Sequence, residues 1–142
     1  MFVLPKRLRY FVHRDARLAG EIDAILARTL TSFYRKRSQA PKDAAPAQFH
    51  ALQRFGSSVN LHVHIHAALS DGCSSFEGGA LRYHPAPPPS AVDLADLLLV
   101  LRKRIFRRLL RLEALPQRSV EEMMAWPHSG FSYGVIIRLR IA

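Results

Sequence analysis

The sequence predicts an α+β domain with a mainly antiparallel sheet flanked by two long amphipathic helices. Three observations carry that prediction. Apolar residues recur at helical spacing in two long segments. Between those segments lie β-branched or aromatic stretches bounded by turn residues. One of these stretches, Asn60-Leu61-His62-Val63-His64-Ile65-His66, sets three histidines at every second position with an apolar residue between each. Alternate side chains of an extended strand share a face. His62, His64 and His66 then form one row, while Val59, Leu61, Val63, Ile65, Ala67 and Leu69 bury the other side.

The remaining elements follow in order. Leu8 to His13, aromatic and β-branched, reads as a short strand. Asp15 is placed as a helix N-cap, and Leu18, Ile22, Ile25, Leu26, Thr29, Leu30 and Phe33 give a helix over residues 16–37. Its basic end, Arg35-Lys36-Arg37, suits the negative pole of the helix dipole and is also able to touch phosphate. A loop with two prolines covers 38–47, and residues 48–55 form a second strand. Gly56-Ser57 leads by a turn or bulge into the histidine strand, residues 58–69. Ser70-Asp71-Gly72 is a turn. A further strand runs near Ala80 to His84 after Gly78-Gly79. The proline-rich connector spans 85–92. Ser90 and Asp93 have capping-box spacing. Leu94, Leu97, Leu98, Leu101, Ile105, Leu109 and Leu112 then stripe one side of a second long helix. Ser119 and Glu122 form another such pair before a short helix to about Trp126. Residues 134–142 alternate apolar and basic residues and suit a strand.

Size and composition narrow the function classes. With 142 residues and 49% hydrophobic side chains, the chain is one domain, or part of one, able to bury a real core. No apolar run approaches the roughly 20 residues that cross a bilayer. The first residues lack the pattern of a signal peptide. A single cysteine, Cys73, excludes an internal disulfide framework and a cysteine-based zinc site, and the expected location is cytoplasmic. Twenty-one Lys and Arg oppose eleven Asp and Glu, a net charge of +10 that favours a polyanionic partner, nucleic acid first. Arg54 and the helix cluster Arg102, Arg104, Arg107, Arg108 and Arg111 are the candidate DNA contacts. Six cations, Arg102, Lys103, Arg104, Arg107, Arg108 and Arg111, fall within ten residues without an acid. Same-sign neighbours repel, which weakens the reading of that face as merely solvated and leaves nucleic acid, a membrane surface or an acidic partner open to it.

Imidazole is the commonest protein metal ligand, and two rings one strand-repeat apart can tilt onto one divalent ion. The row's context is more specific. The stretch from Gln53-Arg54-Phe55-Gly56-Ser57 through Asn60-Leu61 to His66, followed by Asp71-Gly72, resembles the core of the rolling-circle insertion-sequence transposases with paired catalytic tyrosines. These belong with the single-strand DNA nickases called HUH endonucleases. Leu4-Pro5 to Leu8-Arg9-Tyr10, the helix after the proline-rich connector and Ser129-Gly130-Phe131-Ser132 are similar to the family too. The resemblance spans most of residues 4–132.

The resemblance implies a ferredoxin-like sheet with His64 and His66 as the metal pair for Mg²⁺ or Mn²⁺. His62 stands at a position the family does not require and enters as a further candidate ligand. Gln53 belongs to the motif without an assigned role. The implied chemistry is attack by a tyrosine on a metal-polarised phosphodiester of single-stranded DNA, leaving a 5′-phosphotyrosine and a free 3′-hydroxyl. Histidine suits Mn²⁺ better than Mg²⁺, which prefers oxygen.

The chain departs from the family at both ends. The family's cysteine-rich zinc module is expected to be missing ahead of Leu4, and residues 133–142 are expected to form a divergent tail. The nucleophilic tyrosine is expected beyond the chain end, because Tyr10, Tyr34, Tyr83 and Tyr133 do not fall on the family's nucleophile motif. The chain is thus expected to be an incomplete transposase domain that binds metal and single-stranded DNA. The competing readings are a non-catalytic basic nucleic-acid-binding or regulatory module and a zinc-binding structural domain. His13, His50, His84 and His128 are expected to be surface or hydrogen-bonded histidines, Trp126 a packing residue and Cys73 an ordinary thiol.

Overall fold

The computed structural model describes residues 1–56, 60–128 and 130–134. The order of elements is β1 (Phe2–Val3), α1 (Lys6–Arg14), α2 (Ala16–Arg37), β2 (Gln48–Phe55), β3 (Leu61–Leu69), β4 (Gly72–Glu77), β5 (Ala80–Pro85), α3 (Ala91–Arg111), α4 (Gln117–Met124) and β6 (Ser132–Tyr133). The fold is α+β, as expected. The four-stranded sheet runs β2-β3-β1-β6 with antiparallel pairs, so the histidine strand is interior. β4 and β5 form a separate hairpin.

Strand parity sorts the sheet into two faces. Val63 and Ile65 are fully buried in the main core with Leu8, Ile22 and Ile105. Gln48 reaches Thr31 of α2, and His50 Nδ1 lies 2.6 Å from Asp23 of the same helix. The helical layer therefore covers the Val63–Ile65 face. The opposite face carries His62, His64 and His66 together with Gln53 and Ala51, which pair in register with His64 and His66.

Residues 8–13, expected as a strand, belong to helix α1. Pro5 stands at its N-cap, and Leu8 and Val12, four apart, bury one side. Short aromatic stretches are ambiguous in period, and here tertiary burial chose the helix. Asp15 ends α1 and caps α2 by accepting from the Arg17 backbone N–H, so one residue joins the two helices. Helix α2 and strand β2 fall where the sequence places them. The histidine strand starts at Leu61, and residues 57–59 lie outside the described ones.

The β4 arm of the hairpin was not placed by the sequence reading. Its two-residue loop, Gly78-Gly79, takes positive φ at both positions (58° and 84°), the conformation that matches strand twist. Gly72 is needed at the other end, because a Cβ there would fall 2.3 Å from the His84 carbonyl oxygen. A small second core of Tyr34, Ala44 and Cys73 fastens the hairpin to the end of α2.

Helix α3 begins at Ala91, inside the predicted connector, with the full Ser90–Asp93 capping box. Arg37 anchors the connector, donating to the Pro87 and Pro88 carbonyls and pairing with Asp93. Leu101, Ile105 and Leu109 are buried as the stripe predicts, whereas Leu112 lies past the helix end and is exposed. Ser119 and Glu122 do not cap α4. They lie within it, and both accept from Arg7 of α1. Gln117 opens this helix after Pro116. The strand expected over 134–142 falls almost wholly outside the described residues, and β6 sits just before it.

One cation of α3 is structural. Arg102 is buried, and its Nη2 donates to the Met123 and Met124 carbonyls at 2.7 and 2.8 Å. These are last-turn carbonyls of α4, which have no partner within their own helix. Arg102→Ala should destabilise the chain by about 2 kcal/mol in urea unfolding, the scale of hydrogen bonds from a charged donor. Ser90→Ala should cost about 1 kcal/mol through the lost cap. A loss below about 0.5 kcal/mol for Arg102→Ala would mean that this contact does not hold α4.

Candidate metal centre

Two imidazole nitrogens and one amide oxygen meet on the solvent-side face of the sheet. His64 Nε2 lies 3.1 Å from His66 Nε2, which lies 3.2 Å from Gln53 Oε1. His64 is buried at 5% exposure, while His66 and Gln53 are open to solvent. The cluster is thus anchored on its inner side and accessible from the outer side.

Two further bonds set the orientation of the donors. His64 Nδ1 donates to the His62 carbonyl at 2.6 Å. That bond puts the ring proton on Nδ1 and leaves the Nε2 lone pair facing His66. A metal-ligating histidine is held in this way, with its other N–H given to a carbonyl or carboxylate. The Gln53 amide donates from Nε2 to the Phe55 carbonyl at 3.1 Å, which turns Oε1 toward His66. The ladder shifts register between Gln53 and Phe55. Such a bulge re-aims side chains, and it lets Gln53 bond a carbonyl of its own strand.

The donor set fits a divalent cation. Two ligands about 2.1 Å from a metal and at right angles to each other stand about 3 Å apart, close to the observed nitrogen separation. Without a cation, an Nε2 proton on His66 can bridge to Gln53 and His64. A cation would replace that proton as the shared electrophile. Among the described residues no group of three or more His, Cys, Asp or Glu could hold a metal ion. The third converging donor is a carboxamide, a residue type outside that set.

His62 takes a different part. Its ring centroid lies 5.0 Å from that of His64, and its Nε2 is buried with no hydrogen-bond partner among the described residues. Burial first, then the charges of Arg9 and His64, hold its pKa below the ordinary imidazole value. Its carbonyl, rather than its ring, is what the structure ties to the donor cluster.

The tyrosines are dispersed. Tyr34 is buried in the second core. Tyr83 donates to Asp71, and its pKa is pushed up to about 12 by burial and by that carboxylate. Tyr133 pairs with Phe2, which pairs with Ile65, so it projects to the helical side of the sheet, away from His64. Tyr10 is exposed on α1, and its oxygen accepts from Arg14 Nη1 at 2.6 Å.

The expected DNA contacts divide by environment. Arg102 points its donors inward. Arg108 makes a two-pronged pair with Glu21 at 2.7 and 2.8 Å, and Arg104 donates to Thr29. Arg107 and Arg111 are exposed and have no hydrogen bond or ion pair among the described residues. Arg54, half-buried at the β2 bulge, is likewise without such a partner there. Of the basic end of α2, Arg35 and Arg37 are spent on backbone carbonyls, and Lys36 stays exposed. The motif left Gln53 without an assigned role. It stood in the motif, but only the strand register brings it beside His64 and His66.

No helix among the described residues is long and apolar enough to cross a membrane. No curated protein and no solved structure matches the chain. The model of a family described as "Putative transposase" matches residues 48–140, about two thirds of the chain. That match runs from the first residue of β2 through the histidine strand and both C-terminal helices. The chain belongs to this transposase family, and its function is related to DNA transposition.

Proposed function

We propose that the chain supplies the metal site and DNA contacts of an HUH-type, metal-dependent single-strand nickase used in transposition. The observation that carries this reading is the close approach of His66 Nε2 to both His64 Nε2 and Gln53 Oε1 on the accessible face of the sheet. His64 and His66 hold the cation, Mg²⁺ or Mn²⁺, and Gln53 is the third ligand. His62 serves through its carbonyl by fixing the His64 tautomer. A bound cation supplies electrophilic polarisation of a phosphodiester oxygen. The buried backbone of β3 holds both rings in place, and the exposed edges of His66 and Gln53 leave room for a DNA strand to approach.

In this reading the tyrosine nucleophile is not among the described tyrosines. Tyr34 is buried, Tyr133 faces the other side of the sheet, and Tyr83 has a phenol that resists ionisation. A non-catalytic DNA-binding module is the second reading, favoured by that same dispersal of tyrosines.

Calorimetric titration with Mn²⁺ should show one site. His64→Ala and His66→Ala should each remove it, and Gln53→Ala should weaken it roughly tenfold, the scale on which supporting ligands act. Unchanged Mn²⁺ affinity in the histidine variants would refute the assignment. Incubation of the chain with Mn²⁺ and labelled single-stranded DNA should yield no covalent adduct. An adduct mapped by mass spectrometry to Tyr10, the exposed phenol beside Arg14, would instead make that residue the nucleophile.

A further inference from the structure

The helical layer carries a second charged feature, separate from the histidine row. Helices α2 and α3 run antiparallel, as the pairs Arg37–Asp93, Thr29–Arg104 and Glu21–Arg108 show. A groove opens between them, lined by Arg17, Gly20, Glu21, Ala24 and Arg28 from α2 and by Arg108 and Arg111 from α3. Four guanidinium groups there face one carboxylate. Glu21 is held ionised below the usual carboxylate range, chiefly by its bonds to Arg108 and to a lesser degree by the charge of Arg28. Arg17 is chelated by Asp15 outside the groove. Arg28 and Arg111 are exposed and have no hydrogen bond or ion pair among the described residues.

One carboxylate offsets the charge of this groove only in part, and Arg28 on one wall and Arg111 on the other make no direct hydrogen bond or ion pair through their side chains among the described residues. An excess of positive charge along a groove favours an anionic ligand there. The floor is shaped for such a ligand. Gly20 has no atom within 4 Å of the place where its Cβ would stand, and Ala24 adds only a methyl. Arg17 to Arg28 spans eleven residues, about 16 Å of helix axis. Phosphates follow one another every 3.4 Å or so along each strand of duplex DNA. The groove therefore matches a run of phosphates rather than a single anion.

We infer that the α2–α3 groove is a binding site for the phosphodiester backbone of DNA, gripped by Arg28 and Arg111 with Arg17 at one end. The inference rests on membership of the transposase family and not on the metal reading. The groove lies in the helical layer, and the histidine row lies on the opposite face of the sheet, so a DNA segment held here is distinct from one at His64 and His66. The Arg108–Glu21 pair keeps the two walls in register.

The test uses the whole chain and a fluorescein-labelled DNA oligonucleotide, followed by anisotropy across a salt series. Replacing Arg17, Arg28 and Arg111 together by Gln should weaken binding at least tenfold. With a duplex oligonucleotide it should also make the slope of log K against log[salt] less negative by about 2.7, from roughly 0.9 per lost contact. A control with Lys6, Lys36 and Lys42 changed to Gln removes the same charge from exposed positions elsewhere. Gly20→Glu puts a carboxylate into the open floor without crowding the fold, and it should weaken binding in the same way. Equal losses in the triple variant and the lysine control, or full binding by Gly20→Glu, would overturn the inference. Mn²⁺ titration of the groove variants should be unchanged, whereas the His64 and His66 variants should keep the salt-dependent binding. The groove and the metal site can therefore fail independently.

Discussion

Strand β3 has to satisfy two opposed demands along nine residues. Its Val63 and Ile65 complete the main core, while its His62, His64 and His66 stand on the other face. The strand is hydrogen-bonded on both edges, to β2 and to β1, so its register cannot slip without inverting every side chain. A slip of one residue would put imidazoles into the helical layer and valine into the solvent. The core therefore enforces the position of the histidines, and the chemistry of the site borrows its rigidity from apolar packing.

The same logic extends outward through local bonds. The β2 bulge lets Gln53 tie its amide to Phe55 and turn its oxygen to His66, while the His62 carbonyl settles the proton on His64. Neither interaction stabilises the fold by much, since a neutral hydrogen bond contributes only about 1 kcal/mol net. Their consequence is orientation. The His64 ring and the Gln53 carboxamide are held beside His66 before any ligand arrives, and such preorganisation would lower the cost of binding a cation there.

The positive charge of the chain is likewise not one undifferentiated surface. Some arginines are structural members: Arg102 closes the carbonyl end of α4, Arg37 pins the proline connector, and Arg108 joins α2 to α3 through Glu21. Arginine suits such positions because its planar fork satisfies several acceptors while keeping its charge. Among the described residues, arginines outside these internal contacts, such as Arg28, Arg107 and Arg111, stay exposed. A helix face that looks uniform in sequence thus divides into fold and interface.

The sequence by itself determined the α+β class, the limits of α2 and β2, the Ser90 capping box and the alternation that puts three histidines on one face. These are local properties, set by period and by the chemistry of caps, and they survive without knowledge of distant neighbours. Residues 8–13 show the limit of such reasoning: an aromatic stretch read as a strand became helix α1 once Leu8 and Val12 found a core to bury against. The pairing of Gln53 with His64, the inward turn of Arg102 and the placing of Arg28 and Arg111 on the two walls of one groove were decided only by the tertiary structure. Each joins side chains from separate elements, and the distances between elements depend on strand register and helix packing rather than on any spacing along the chain.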